Sequence, residues 1–454
     1  MLLLDYLCVF VLGVFSYILF FIYLCRQIVF YRLIMLTTFV LLPIIGLLVG
    51  VAVKSLDRWI KLPYTVMLFV VGIVFGVCAR TELVGSHVMV RNVLDMITGI
   101  NPDFILYVFL PILVFDAAYE MDLNAFRKTL PNAALLAGPG VVICMFLTAA
   151  LVMGLYWTVG AYDSSRWVYA LMFGGLISAT DPVAVVALLQ ELGTSKKFST
   201  LVDGESLLND ATGLVCFMYF YGSFAGKEGI DYPLLYFAWV IACSCVIGYL
   251  IYRITLLVVR WLGSKDILQN CMVLAAAYIT FMVAQSLLDV SGVIALVVFG
   301  HSFAQNGRPH LLPATNAFME KFWEFCAYIS NTLIFLMVGV IIAAVVDITW
   351  AHIFYTVVIY LGLNAIRYAM IAILFPLLRR NGYGLSRAEA IVLGWGGLRG
   401  ALGMCMALMV NCNENIPLAT RHNILIYTAG VITLTLCVNA TSCKWLVNKL
   451  KLAA

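Results

Sequence analysis

Long apolar runs, separated by short polar segments, recur from one end of the 454-residue chain to the other. A transmembrane helix needs about 20 mostly apolar residues, and these runs are of that order. The first run predicts a helix at 2–24, which we interpret as retained because it lacks a basic leading segment and a clear cleavage site. Thirteen further runs predict core helices at 33–53, 63–79, 103–119, 131–158, 167–190, 205–225, 233–252, 267–288, 291–306, 318–346, 350–377, 388–410 and 422–443.

Composition supports a membrane protein. The chain is 64% hydrophobic and only 11% charged, whereas soluble domains carry about 25% charged residues. Lipid must therefore cover much of the surface. No basic run with interleaved aromatic residues is present, which excludes nucleic acid as a partner. The thirteen cysteines form no metal-binding or redox motif, so we expect no cofactor.

Lys and Arg residues are distributed unevenly around the predicted core. With the C-terminus in the cytoplasm, seventeen lie on the cytoplasmic side and seven on the opposite side, as the positive-inside rule requires. We predict an integral multi-pass protein, in the plasma membrane rather than an endomembrane. Residues 1–32 hold the additional N-terminal helix and a linker, and 33–454 read as one membrane domain.

Two of the predicted helices should be interrupted in mid-membrane. Pro182 ends a helix because it lacks an amide hydrogen, and four glycines between Gly394 and Gly400 weaken the other. Each is the fifth helix of a six-helix set, and one linking helix inverts the second set. The sequence therefore predicts two inverted repeats whose crossed breaks meet near the midplane. Alternatively, each segment is only a tight helix crossing.

Ionisable residues inside the spans are expensive and need a partner or a function. They are Asp116, Asp181, Glu205, Asp210, Arg367 and Arg399. We expect Asp181 to neutralise the positive N-terminal ends of half-helices, and Arg399 the negative C-terminal ends. Asp116 belongs either to a cytoplasmic ion path or to a helix brace.

Helical spacing separates the polar residues of the sixth core helix into two faces. Ser206 and Asp210 share one face, and Glu205 and Asn209 share the neighbouring one. A single aspartate with a hydroxyl group and nearby carbonyls suits a hard cation such as sodium. We predict that Arg367 pairs with Glu205; the alternative is that an arginine pairs with Asp210.

Four segments together resemble the sodium/proton exchanger family of cation/proton antiporters, and within it the plant salt-tolerance and sperm-type exchangers. They are Ser178–Val185, Gly204–Asp210, Gly396–Ala401 and Phe109–Tyr119. The resemblance covers nearly all of the chain after about residue 33. It implies a homodimer in which dimerisation and core subdomains are interleaved in the sequence.

The resemblance also assigns roles to residues. It implies that Asp210 binds sodium and protons in competition, that Thr180 and Ser206 assist, and that Glu205 pairs with Arg367. The candidate ion site is therefore Asp210, Asn209, Ser206, Thr180 and Asp181, with sodium at Asp210. Relatives have long cytoplasmic regulatory tails, whereas this sequence ends soon after the last span, so no regulatory partner is identified.

These features predict a secondary active antiporter, not an enzyme. It would exchange sodium, or lithium or potassium, for protons. Because Asn209 is neutral, we expect one proton to replace one sodium ion without net charge movement. The alternatives are a cation channel or uncoupled leak, a non-transporting membrane subunit, and an intramembrane enzyme. No nucleotide-binding motif is present that would indicate ATP-driven transport.

Overall fold

The computed structural model describes residues 43–55, 64–80, 97, 102–158, 160, 163–224, 233–263, 266–345 and 349–452. These residues are mostly helical and include no strand. The predicted helix at 2–24 and the first part of the predicted helix at 33–53 lie outside this part of the chain.

Fifteen helices follow one another in the described residues. The first eight are α1 Pro43–Ser55, α2 Tyr64–Arg80, α3 Pro102–Glu120, α4 Leu123–Leu135 continued by Leu136–Gly140 and Val141–Thr158, α5 Trp167–Ser178, α6 Val183–Glu191, α7 Lys196–Gly222 and α8 Pro233–Leu262. The others are α9 Asp266–Met282 continued by Val283–Leu287, α10 Gly292–Asn306, α11 Pro313–Val345, α12 Trp350–Arg380, α13 Arg387–Trp395, α14 Ala401–Cys412, and α15 Leu418–Leu434 continued by Thr435–Ala440 and Thr441–Lys449. The middle segment of α4, the last segment of α9 and the middle segment of α15 are π-helical.

The all-helical multi-span fold that the sequence predicts is confirmed. Within the described residues, each of the thirteen predicted core spans overlaps a helix or a pair of half-helices, the first of them only from residue 43 onwards. Seven helical stretches of the described chain are long and apolar enough to cross a membrane, and four shorter apolar helices accompany them.

The two predicted interruptions are present in the structure. Ala179 leaves the helical conformation at the end of α5, with ψ 134°, and α6 begins after Pro182. The glycine-rich segment separates α13 from α14, and Gly400 is extended. The two breaks touch, because the Asp181 amide donates a 2.9 Å hydrogen bond to the Leu398 carbonyl.

Several predicted helix ends are wrong by many residues. Helix α7 begins at Lys196, nine residues before the predicted start at 205, because the Ser195 hydroxyl caps it by accepting from the Phe198 amide. Helix α8 continues to Leu262 rather than ending at 252. Arg253 lies within that extension, where its long side chain can extend to a polar surface. In both cases polar residues near the helix end led the sequence pattern to predict a helix that is too short.

Close helix contacts in the bundle depend on small residues. Helix α2 packs against α11 where Gly72 faces Gly339, and a side chain at Gly72 would place its Cβ 3.0 Å from the Gly339 Cα. Gly248 of α8 faces the Ala295 backbone of α10 in the same way. Small residues at such contacts are typical of membrane helices, whose association depends on close packing.

Candidate functional site

Thr180 lies at the centre of the first break and is held by α7. The Asn209 amide nitrogen donates to the Thr180 hydroxyl at 2.6 Å, and the Thr180 backbone amide donates to the Asn209 side-chain oxygen at 3.2 Å. The Ser206 hydroxyl donates to the Thr180 carbonyl. All three residues are buried. Ser206 and Asn209, three residues apart on one helix, therefore fix the unwound backbone.

Glu205 and Arg367 are in direct contact, as the predicted pair requires. The guanidinium of Arg367 donates to both carboxylate oxygens of Glu205, at 2.7 and 2.8 Å. The Asn209 amide adds a third bond to Glu205 at 3.3 Å. Both charged side chains are buried. This two-pronged geometry joins α12 to α7 and neutralises two charges that would be costly if separated in a low-dielectric bundle.

Arg399 lies at the C-terminal end of the half-helix α5. Its guanidinium donates to the carbonyls of Ser178 at 3.0 Å and Ala179 at 3.2 Å. These carbonyls are among the groups that a helix end leaves without partners. The position of Arg399 therefore suits the expected role of neutralising a negative helix end.

Asp181 lies beside the N-terminal ends of two half-helices. Its carboxylate accepts a 3.1 Å hydrogen bond from the Val183 amide at the start of α6. The same side chain packs against Gly400, directly before α14, where an added Cβ would lie 2.7 Å from its carboxylate carbon. This placement suits a negative charge that faces positive helix ends.

Asp210 is in a different situation. Among the described residues it forms neither a hydrogen bond nor an ion pair, and its side chain is half-buried. Its charge interacts with those of Asp181 and Glu205, both of the same sign. Neither Arg367 nor Arg399 donates to it. Asp210 is thus a carboxylate inside the bundle that no arginine of the described chain neutralises.

Asp116 lies on α3. One of its carboxylate oxygens is buried and has no hydrogen-bond partner in the described part of the protein. The nearby charges are those of Glu120 and Glu324, both acidic. Among the described residues, no hydrogen bond or ion pair joins Asp116 to either break, so its role stays a prediction.

A polar cavity of about 680 Å³ opens at one end of α7, beside α3 and α6. Glu120, Asp122, Lys196, Asp203 and Arg308 contribute charged groups to its lining. Asp203 and Asp210 are seven positions apart, so the two carboxylates share one face of α7 about 10 Å apart along its axis. The cavity therefore lies in line with the face of α7 that carries Asp210.

Sequence reasoning missed Asp203 because it placed the start of this helix at 205. Ser195 is a good helix-capping residue that closely precedes the polar segment. This was the feature from which the earlier helix start could have been predicted. No cluster of three or more His, Cys, Asp or Glu side chains suited to a metal occurs in the described residues. A cation at Asp210 would be held by one carboxylate together with neutral oxygens.

Crossed, interrupted helices with a carboxylate beside them define a membrane protein with the architecture of secondary transporters. The chain belongs to the sodium/hydrogen exchanger family, whose transmembrane model matches residues 44–449.

Individual relatives agree with this assignment. The chain is 35% identical to Sodium/hydrogen exchanger 8 of Arabidopsis thaliana over 425 residues, covering 90% of this chain and 54% of that protein. It is 30% identical to the Na(+)/H(+) antiporter ApNhaP of Aphanothece halophytica over 401 residues, covering 86% and 70%. The chain thus spans about half the length of the plant relative.

A solved structure shares the fold. The sodium proton antiporter MjNhaP1 from Methanocaldococcus jannaschii superimposes with a TM-score of 0.73 at 18% sequence identity. The match covers 92% of this chain and 99% of that one. The predicted fold class is therefore confirmed by a protein of low sequence similarity.

Proposed function

We propose that this protein exchanges sodium ions for protons across a membrane and that both bind in turn to Asp210. The observation that carries the proposal is the contrast between Asp210 and its charged neighbours. Glu205 pairs with Arg367, and Arg399 and Asp181 each bond to helix ends. Asp210 alone of this group has no hydrogen-bond or ion-pair partner among the described residues, so its charge is available to a mobile cation.

Obligatory exchange follows from the cost of moving a bare charge. An unneutralised carboxylate in a low-dielectric site costs several kcal/mol, so the empty site should change its access slowly. Sodium or a proton removes that charge, and one ion replaces the other. Asn209 is neutral and its amide bonds to Thr180 and Glu205, so it adds no second proton. We therefore propose one-for-one, electroneutral exchange.

Sodium at Asp210 would have neutral oxygen ligands close by. Ser206 and Asn209 lie on the same helix and bond to Thr180, and Asp181 interacts electrostatically with Asp210. Carboxylate, hydroxyl and carbonyl oxygens are the ligands that hard cations prefer. We propose that Thr180, Ser206, Asn209 and Asp181 form the surroundings of the ion, and that sodium is preferred over potassium.

We propose that the polar cavity beside Asp203 faces the cytoplasm. Lys196 and Arg308 line it, and both belong to the side richer in Lys and Arg, as cytoplasmic segments are. The C-terminus lies on the same side in this arrangement. We further propose a plasma-membrane homodimer in which the subdomain with the two breaks moves relative to the other subdomain to alternate access.

Proteoliposomes containing a pH-sensitive dye test the function. An inward sodium gradient should move protons outward with the wild-type protein and fail to do so with Asp210→Asn. Asp163→Asn is the matched control, because Asp163 caps a short exposed turn, and it should exchange at the wild-type rate. Parallel gradients of lithium and potassium give the ion preference. Wild-type exchange by Asp210→Asn would refute the proposal.

The same vesicles distinguish exchange from a channel. Clamping the membrane potential with valinomycin and potassium should leave sodium-driven proton movement unchanged if exchange is electroneutral. A current that follows the potential and ignores pH would instead indicate a channel or leak. A folded protein with no sodium-linked proton movement would favour a non-transporting subunit.

A further inference from the structure

One short segment of α15 holds both sides of the second break. Thr435 and Asn439 belong to its π-helical part, Thr435–Ala440. The Thr435 hydroxyl accepts a 3.3 Å hydrogen bond from the Arg399 backbone amide. The Asn439 amide donates at 2.9 Å to the Trp395 carbonyl, at the end of α13. Two residues four apart thus hold the chain before and after the break.

Asn439 is itself fixed from α12. The Tyr360 hydroxyl donates to its side-chain oxygen at 2.6 Å, and its nitrogen donates to the Asn364 side-chain oxygen at 2.8 Å. The Asn439 side chain is 1% exposed and Thr435 is 3% exposed. A buried polar network in which the amide is bonded at both ends defines a single geometry. A π-helical turn also widens the helix locally, and such turns are frequent at functional sites.

Contacts continue from this segment to the ion site. Arg399, whose amide Thr435 holds, donates through its side chain to the carbonyls of Ser178 and Ala179. The neighbouring Leu398 carbonyl accepts from the Asp181 amide. Thr180 lies between these contacts. A shift of the second break would therefore displace the backbone beside Asp210.

The first repeat also holds its break through a hydroxyl and an amide of its sixth helix. There the sixth helix, α7, holds the unwound Thr180 through Ser206 and Asn209. In the second repeat the sixth helix, α15, holds the break through Thr435 and Asn439. The residue after Asn209 is Asp210, whereas the residue after Asn439 is Ala440. The second repeat thus has a hydroxyl and an amide that hold its break, but no carboxylate directly after the amide residue.

We propose that Thr435 and Asn439 are positioning residues that set the affinity of the ion site by fixing the second break. The inference rests on the proposed exchange at Asp210. Thr435 and Asn439 themselves do not contact the ion in this proposal. They act through Arg399 and the backbone around Thr180, so their loss should change the affinity for sodium.

The test measures exchange by Thr435→Val and Asn439→Leu in proteoliposomes that contain equal amounts of folded protein. Losing one hydrogen bond in such a chain of contacts should raise the apparent KM for sodium about fivefold. The pH at half-maximal exchange at fixed sodium should also shift, because protons and sodium compete for the same carboxylate. Thr435→Ser keeps the hydroxyl and should restore the wild-type KM.

Thr433→Val is the matched control, because within the described residues the Thr433 hydroxyl bonds to Ala429 of its own helix and to no other group. It should leave the KM unchanged. A wild-type KM and pH profile in Thr435→Val would overturn the proposal even if the variant were less stable. The proposal would also be overturned if Thr435→Val lost exchange rate only in proportion to its loss of folded protein. Thr435→Val is nearly isosteric, so the test does not depend on the folding of Asn439→Leu.

Failure of this inference is separable from failure of the proposed function. If the wild type does not exchange, or Asp210→Asn exchanges normally, the function at Asp210 is wrong. If both behave as proposed while Thr435→Val and Asn439→Leu keep the wild-type KM, only the positioning role is wrong.

Discussion

The first break, from Ala179 to Pro182, and the second, from Gly396 to Gly400, interrupt corresponding helices of the two repeats. A hydroxyl and an amide of the following helix hold each break, but among the described residues only the first break is also hydrogen-bonded by charged side chains. Charges surround the first: Arg399 bonds to the carbonyls that precede it, and Asp181 bonds to the amide that follows it. The second break is held at its ends by a hydroxyl and an amide, those of Thr435 and Asn439.

This difference separates two tasks that one fold must perform. The first break lies beside Asp210, which has no hydrogen-bond or ion-pair partner in the described part of the chain, so each charge near the break affects the electrostatic environment of that carboxylate. The side chains of α15 that hold the second break are neutral and add no further charge there. Removing a charged group near the first break should therefore have larger consequences than removing a neutral group at the second.

The largest effect should come from Arg367→Met, which leaves Glu205 charged, buried and unpaired next to the first break. Removing one partner of a buried ion pair costs about 3–5 kcal/mol, so the unfolding midpoint in detergent should fall sharply. Arg379→Met, an exposed change on the same helix, is the control. The double variant Glu205→Gln and Arg367→Met should recover part of the loss; no recovery would contradict a role confined to pairing.

Arg399→Gln should have the next largest effect. It removes the charge-assisted donor to the Ser178 and Ala179 carbonyls, and hydrogen bonds to charged groups contribute about 1.5–3 kcal/mol. Thermal unfolding of Arg399→Gln and Thr435→Val in the same detergent makes the comparison directly. A loss in Arg399→Gln no greater than in Thr435→Val would show that the two breaks do not differ in this way.

Gly400→Ala tests whether the two breaks must touch closely. The added methyl group would overlap the Asp181 side chain, and overpacking typically costs about 1–3 kcal/mol. Gly154→Ala is the control, because an added Cβ there meets no atom within 4 Å, and alanine favours a helix interior by about 0.5–1 kcal/mol. Equal unfolding midpoints for the two variants would contradict the close contact.

The smallest effect should come from Lys196→Met at the rim of the cavity. The Lys196 ammonium lies 2.5 Å from Asp122 and is mostly exposed, and such surface pairs contribute about 0–1 kcal/mol. The hydrogen bond from Lys196, followed by that from the Ala125 amide, lowers the pKa of Asp122. The pair therefore stabilises the fold above the ordinary pKa of aspartate, and this stabilisation is lost as pH falls through the lowered value.

Thermal unfolding between neutral and acidic pH measures this contribution. The difference between wild type and Lys196→Met should be small at neutral pH and vanish in acid. A difference that grows as the pH falls would contradict the assignment.

The breaks and the all-helical bundle could be predicted from sequence because their causes are local. Pro182 and the glycines between Gly394 and Gly400 act on their own backbone whatever surrounds them. The apolar runs directly indicate that lipid surrounds much of the helix surface. Helical spacing indicated Asp210 and Ser206 as a cation site, the family resemblance added Thr180, and the structure places Thr180 and Ser206 together at the first break.

The groups that hold the second break could not be predicted in this way. Thr435 and Asn439 are unremarkable residues in an apolar run, and their role depends on a π-helical turn that one-dimensional periodicity does not reveal. Asp203 was missed for another reason: its helix begins in polar residues that line a cavity, so hydropathy placed the start at 205. The roles of these residues were missed because they depend on tertiary contacts, which local sequence preferences do not show.

Proton release on sodium binding tests the central claim most directly. Adding sodium to the purified protein in weakly buffered detergent solution with a pH dye should release protons from the wild type, saturating at one per protein chain. Asp210→Asn should release none, and Asp163→Asn should release as many as the wild type. Undiminished release from Asp210→Asn would show that sodium and protons compete at some other group.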